Sequence, residues 1–456
     1  MTAGGSGLAG ILVDARPVDH PTAGQRGIGR YLTGLLGGLV ELGAPVVALH
    51  ATDVQAELLR STLPPTAPDD TIRRLAPATL REAIAAADGR PLWYVATQLL
   101  LHPVALDPVP SLITRARLAI AAVMYDVIPY RYPERYLVHP NARTQAALRA
   151  PLARTLDAML SISEFAGDTA ADELSFPRSR IRSIGAGVDS RFAPAGSRPL
   201  PRPDRVLPAH VTRWVTSVCG IDERKNTDRL VRAWGLVPAA LRQPRRGGCA
   251  LVIVNAHTPE ALAQWKAVAR DAGVDDSVVF TGAVTDDELV ALLQRSELSV
   301  MPSLEEGFGL PVVEAAACGT AVVCSSTSAL REVLDDPAAH LDPTDTASIA
   351  RAIERALTDQ QHHVALVAAA ARAADRWTWR RTADDLVAAL TELGPRWPGR
   401  ARPPSHLVAQ VEDDRVQVLG RDYALAEGPD GSVTWPVGAL GPWIKPWDVD
   451  QTVPLG

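Results

Sequence analysis

Pro302-Ser303-Leu304-Glu305-Glu306-Gly307-Phe308-Gly309-Leu310-Pro311-Val312-Val313-Glu314-Ala315 follows the apolar run Leu298–Met301 and decides how the rest of the chain is read. An apolar strand that runs into Gly-X-Gly and then opens a helix is one strand-to-helix step of a parallel α/β sheet. The two glycines let backbone N–H groups approach a phosphate at the helix N-terminus. Glu306 in the loop can reach sugar hydroxyls, and Glu314, expected about two turns into the helix, can accept both hydroxyls of a ribose. An ordinary turn with two solvated glutamates fits the same letters, so the stretch alone leaves both readings open.

Upstream, the run Trp214–Val218 leads into Cys219-Gly220-Ile221-Asp222-Glu223-Arg224-Lys225-Asn226, again a strand end before a helix. Arg224 and Lys225 there could bind a diphosphate and stabilise the charge that grows on it as it leaves, or could be an exposed basic turn. Strands are also expected at Ala250–Val254, Val278–Phe280 and Ala321–Cys324, with helices at Thr227–Trp234 and Pro259–Ala272. The first half carries the same rhythm. Strands at Ile11–Asp14, Pro45–Leu49, Leu92–Val95, Leu118–Met124 and Met159–Ile162 are separated by stretches long enough for crossover helices. Gly27-Ile28-Gly29-Arg30 reads as a glycine loop before a helix Tyr31–Leu42, and Tyr125-Asp126 ends a strand, where Asp126 could orient a hydroxyl or cap a turn.

This predicts an α/β fold of two doubly wound, Rossmann-like domains with a ligand cleft between them. The expected organisation is an N-terminal domain over 1–197, a proline-rich linker over 198–209 and a second domain over 210–378. Ala347–Leu357 and Thr382–Leu393 read as closing helices, the second within a closing segment over 379–398, and the extension 399–456 has β-like runs at Arg415–Leu419 and Ser432–Trp435. Prolines at 194, 199, 201, 203 and 208 cannot continue a helix or a central strand.

The 456 residues, 47% hydrophobic and 21% charged, suffice for several cores. Net charge −6 with no basic block argues against nucleic acid as a partner. No apolar stretch reaches spanning length and no cationic leader precedes Ile11, so a cytoplasmic protein is expected. The four cysteines, at 219, 249, 318 and 324, read as buried free thiols, and the ten histidines show no metal spacing. Only three lysines stand among 46 basic residues, which draws attention to Lys225.

These motifs resemble the retaining nucleotide-sugar glycosyltransferases of family 4, the glycosyl transferases group 1, which have the GT-B fold. The resemblance runs over about 11–393. It is carried by Glu306-Gly-Phe-Gly-Leu-Pro with Glu314, Arg224-Lys225-Asn226, Gly27-Ile-Gly-Arg-Tyr31, Asp126-Val-Ile-Pro129, Ser161-Ile-Ser-Glu-Phe165, Gly187-Val-Asp189, Phe280-Thr-Gly282 and Trp379. It implies that Arg224, Lys225 and Glu306 are catalytic, with Glu306 at the donor sugar and the two cations at the diphosphate. It implies donor contacts from Glu314 at the ribose, from Gly307, Phe308, Gly309 and Leu310 at sugar and phosphate, and from Gly282 and Val284 near the base. Gly27, Gly29, Arg30, Tyr125 and Asp126 are expected to line the acceptor side. The implied partners are a nucleotide sugar, with a lean toward GDP and mannose or a deoxyhexose, and a glycan, glycolipid or natural-product acceptor. No cofactor or metal is expected. Tyr125 stands where many relatives have histidine. The alternatives are a non-catalytic scaffold, or a phosphorylase or epimerase of the same fold. Arginines 143, 149, 154, 178, 180 and 182 are candidates for a basic face at a membrane surface.

Overall fold

The computed structural model describes residues 7–19, 27–100, 109–116 and 118–396, together with short strands within 410–434. It divides into two compact units, Met1–Ile184 with Ala383–Gly456, and Gly185–Thr382.

The first unit is built on seven parallel strands: β1 (Gly10–Asp14), β2 (Val46–His50), β3 (Ile72–Arg74), β4 (Leu92–Ala96), β5 (Ala119–Met124), β6 (Ala158–Ser161) and β7 (Ile181–Ser183). Their order is β3-β2-β1-β4-β5-β6-β7. β1, β4, β5 and β6 are buried at every residue, as expected of strands covered on both faces, and that is why their sequences are apolar apart from the terminal Asp14 and Ser161. β3 and β7 were not foreseen. They are the two edges, each three residues long and carrying arginine, so they lack the apolar signal of the centre.

Gly27-Ile28-Gly29-Arg30 is not a loop. It forms the first turn of the helix Gly27–Leu42, which buries Tyr31, Leu32, Leu35, Leu36 and Leu39 on one face.

The second unit holds β8 (Trp214–Val218), β9 (Ala250–Val254), β10 (Val278–Phe280), β11 (Leu298–Met301), β12 (Val322–Ser325) and β13 (His340–Leu341), all parallel, in the order β10-β9-β8-β11-β12-β13. The proline-rich segment is part of this unit rather than a bare linker. Gln294 Nε2 donates to the carbonyls of Ala193 and Arg198 at 2.8 Å, and Arg295 donates to Leu200 O at 2.7 Å. Arg191, Arg198 and Arg205 pair with Asp286, Asp287 and Glu288, the acidic first turn of the helix Asp286–Gln294. Proline bars these residues from the sheet, and their carbonyls and arginines bind along a helix instead.

Helices Thr346–Thr358, Gln360–Arg376 and Trp379–Leu393 end this part of the chain. The middle one escaped the sequence reading because its buried face is mostly alanine, with Leu366 among His362, Ala369, Ala370 and Ala373. The ends of the second unit lie against each other. A Cβ on Gly187 would sit 2.2 Å from the backbone nitrogen of Trp379, so only glycine permits that approach. In the tail, β14 (Gln410–Glu412), β15 (Arg415–Val418) and β16 (Arg421–Ala424) form an antiparallel sheet, and β17 (Ala426–Glu427) pairs with β18 (Val433–Thr434).

Candidate functional site

In the second sheet the strand order reverses between β8 and β11, and the crevice outside the carboxyl ends at such a point is where doubly wound sheets bind ligands. The loop after β8 carries Arg224 and Lys225, and the loop after β11 carries Glu306. Topology therefore juxtaposes residues more than 80 positions apart.

Arg224 Nη1 and Lys225 Nζ each donate to Glu306, to Oε2 and Oε1 respectively, both at 2.7 Å. Glu306 is 7% exposed at its side chain, against 22% for Arg224 and 17% for Lys225, so the carboxylate is buried while water still reaches the cations. Burial pushes the Glu306 carboxyl up, but Lys225 and Arg224, with hydrogen bonds from Lys225 and Ser303, outweigh it and hold the group at about 2. Glu306 is thus a fixed anion between two cations.

The supports of this cluster were not all legible. Asp222 Oδ1 accepts from Arg224 N at 3.0 Å and Oδ2 accepts from Nε at 3.2 Å, capping the turn and fixing the guanidinium. Arg224 also donates to Glu305 O at 3.0 Å, and Arg224 O accepts from Leu304 N at 2.7 Å, which ties the two loops together. Asn226, at φ +62°, donates from Nδ2 to the carbonyls of Pro302 and Pro343. Ser328 Oγ accepts from Glu306 N at 3.1 Å. An aspartate two residues before an arginine is the one sequence signal here, being a capping pattern.

Gly309, at φ +105°, is the N-cap of the helix Leu310–Ala317, and a Cβ there would meet Leu330 Cδ2 at 2.3 Å. Phe308 is buried edge-on against Trp377 with centroids 5.1 Å apart, so its ring packs within the unit. Glu314 is the fifth residue of that helix, a little over one turn in rather than two, and is 6% exposed. Gly282 and Val284 lie beyond the carboxyl end of β10, two strands from β8 across β9. Gly282 has φ +71° and faces His257 Nε2, 3.8 Å from where its Cβ would be.

The residues expected on the acceptor side belong to the first unit. Gly27, Gly29 and Arg30 form the helix start described above. Tyr125 follows β5 and packs edge-on against Tyr31 at 5.3 Å; its buried hydroxyl has no hydrogen-bond partner and burial raises its pKa. Asp126 Oδ1 accepts from Ile128 N at 3.1 Å, a local turn bond one residue ahead of the N-cap Val127. This sheet reverses order between β1 and β4, and there the sequence reading missed three groups. Asp14 and Arg16 form a buried two-bond ion pair at 2.8 and 2.7 Å, Thr97 donates to Asp14 O at 2.6 Å, and both amide atoms of Gln98 are buried without partners. Nothing in an isolated glutamine or a short Asp-X-Arg announces such a role.

The arginines weighed for a basic face each have a local partner or are buried. Arg143 and Arg154 donate to backbone carbonyls, Arg149 is buried, Arg178 pairs with Glu164 and Asp168, Arg180 donates to Leu393 and Gly394, and Arg182 pairs with Glu392. All four cysteines are free, three of them buried. Among the described residues no helix is long and apolar enough to cross a membrane, and no three His, Cys, Asp or Glu side chains form a metal-holding group.

Residues 210–373 match the family model described as Glycosyl transferases group 1. The serotype-specific mannosyltransferase WbdA of Escherichia coli is 31% identical over 320 residues, which are 69% of this chain and 38% of that protein. The O-antigen chain mannosyltransferase B of Escherichia coli is 27% identical over 278 residues, 59% of this chain and 69% of that protein. The chain thus spans less than half the length of WbdA. Among solved structures, Anabaena HepE in complex with UDP and glucose aligns over 84% of this chain and 99% of its own, with a TM-score of 0.58 at 15% identity. WaaG, a glycosyltransferase involved in lipopolysaccharide biosynthesis, aligns over 83% and 98%, with a TM-score of 0.54 at 14% identity. The shared fold is GT-B, two Rossmann-like parallel-sheet domains in one chain.

Proposed function

We propose that the chain is a retaining glycosyltransferase that moves a hexose, mannose in the favoured reading, from a nucleoside diphosphate sugar to a hydroxyl of a glycan, glycolipid or natural-product acceptor. The observation that carries the proposal is the convergence of Arg224, Lys225 and Glu306 at the switch point of the second sheet, in the loop that leads through Gly309 to the helix bearing Glu314. Two cations held in place before the substrate arrives need no reorganisation when charge develops on a diphosphate, and such preorganised charge is commonly the largest electrostatic contribution to catalysis. The backbone N–H groups at the start of Leu310–Ala317 add a positive helix end. Glu314 would accept the ribose hydroxyls, and Glu306 would orient a sugar hydroxyl.

Retention follows if the acceptor attacks the face that the diphosphate leaves. The C1–O bond to phosphate breaks, the C1–O bond to the acceptor forms on the same side, and the departing phosphate oxygen takes the acceptor proton. The cations would neutralise the leaving group without a metal. The WbdA relatives support mannose as the sugar, and a GDP donor is the accompanying expectation.

A thermal-shift panel with GDP, UDP, ADP and dTDP and their sugar conjugates tests the reading, because a ligand of the native state raises apparent stability by mass action. The expected result is one nucleotide standing out, GDP above the rest. No shift with any of them on folded protein refutes the donor site.

A further inference from the structure

We propose that His257 is a specificity-determining residue of the donor site, where a nitrogen of its ring hydrogen-bonds to the nucleobase of the nucleoside diphosphate sugar. The inference deepens the proposed function and rests on its reading of Arg224 and Lys225 as the diphosphate site. His257 belongs to none of the motifs that carry the family resemblance.

Strand order singles out the loop after β9. In the sheet order β10-β9-β8 it stands between the loop after β8, which carries the two cations, and the loop after β10, which carries Gly282. Backbone bonds join the three where they leave the sheet: Cys219 N donates to Val254 O at 3.2 Å, and Thr281 N donates to Ile253 O at 3.1 Å. Two inter-strand spacings separate β8 from β10, roughly 10 Å, within reach of a nucleoside attached to a diphosphate at Arg224 and Lys225. Charge is divided along this edge. The loop after β8 holds Asp222-Glu223-Arg224-Lys225, whereas Asn255-Ala256-His257-Thr258 and Thr281-Gly282-Ala283-Val284 contain no acidic residue, lysine or arginine. Arg224 and Lys225 match the anionic part of the donor, and the two uncharged loops match its heteroaromatic part.

His257 is the one aromatic ring in those two loops, and it is half-buried. It packs edge-on against Trp265 with centroids 6.2 Å apart. Trp265 is itself only 4% exposed and stacks on Phe280 at 5.9 Å, so it serves as a fixed support. The next residue, Thr258, accepts from Ala261 N at 3.2 Å and caps the helix Pro259–Asp271, which fixes the backbone beside the imidazole. The ring is thus positioned, yet neither of its nitrogens is hydrogen-bonded to a described residue. Nε2 lies 3.8 Å from where a Cβ on Gly282 would be, so this nitrogen stands between the two uncharged loops. A neutral imidazole offers one donor and one acceptor. Bases differ in the donors and acceptors on their edges, so a hydrogen bond from this ring discriminates among them where stacking alone does not.

The test is calorimetric titration of the full chain with GDP, UDP, ADP, dTDP and inorganic pyrophosphate, for wild type, His257→Phe and His257→Gln. Phenylalanine keeps a ring against Trp265 and removes both nitrogens, and glutamine returns a nitrogen near the place of Nε2. Wild type should prefer one nucleotide. His257→Phe should bind that nucleotide about ten-fold more weakly and lose most of the preference, while His257→Gln keeps the greater part of both. Pyrophosphate, which reaches only the cations, should bind all three proteins alike. An unchanged preference in His257→Phe overturns the proposal, as does equal binding of the four nucleotides by wild type. So does a His257→Gln that binds no better than His257→Phe, or a loss of pyrophosphate affinity in parallel with the nucleotide, which marks a disturbed loop. A folded wild type that binds neither nucleotide nor pyrophosphate strikes the proposed function, and this inference with it.

Discussion

Replacing Glu306 with glutamine isolates what the carboxylate does for the two cations, because the amide keeps the shape of the protonated acid and removes only the charge. In the native protein the group is held at about 2, against an ordinary value of 4.5. At 1.36 kcal/mol per pH unit the difference corresponds to about 3 kcal/mol of stability contributed by ionised Glu306. Because the folded value is the lower one, this contribution is complete above about pH 4.5 and disappears as the pH falls toward 2. By the same linkage less than half of it remains at pH 3. Glu306→Gln should therefore lower the melting temperature at pH 7 by roughly 6–12 °C for a unit of this size. The gap between variant and wild type should shrink by more than half at pH 3. Differential scanning calorimetry at both values reads this directly. A gap that is absent at pH 7, or equal at the two pH values, would show that the cations do not depend on Glu306 and that the cluster is an accident of surface pairing.

Lys225→Ala should lower kcat by about 10²–10³-fold with a much smaller change in donor KM, since its partner charge grows only in the transition state; an effect confined to KM contradicts that role. Glu314→Ala should weaken donor binding by about ten- to a hundred-fold through lost charge-assisted hydrogen bonds, measured by titration with the nucleotide. EDTA should leave transfer intact, and full loss restored by magnesium would show the leaving-group chemistry to be wrong. Gly309→Ala should destabilise the second unit by at least about 1–3 kcal/mol, seen as a lower urea midpoint, because φ +105° and the approach of Leu330 both exclude a side chain.

Central strands such as Ala250–Val254 were legible because burial on both faces leaves no room for polar letters. The edges Ile72–Arg74 and His340–Leu341 were not, since short half-solvated strands look like loops. Gly27 and Gly29 misled the reading of the first helix, as glycine signals a turn by its own preference and the packing of Tyr31 and Leu32 overrode it. At the candidate site the residue types were visible, but the pairing of Arg224 and Lys225 with Glu306 was not. It depends on β8 and β11 becoming neighbours, which the strand order decides and no local spacing encodes. The buried Asp14–Arg16 pair was hidden for the opposite reason. Its partners are two residues apart, so it reads as a turn, and only burial at a strand end makes it a feature.

The contact of Gly187 with Trp379 makes the second unit an insertion whose two ends meet, with the rest of the chain entering and leaving side by side. Such a unit is a natural candidate for excision or circular permutation, since its termini are already adjacent. The useful cut falls at Gly185 and Thr382 rather than at 210 and 373, the limits of the family match. A fragment trimmed to those limits would strip Ala193 and Arg198 from Gln294 and remove Trp377 from Phe308, leaving uncovered the surfaces that these residues pack against.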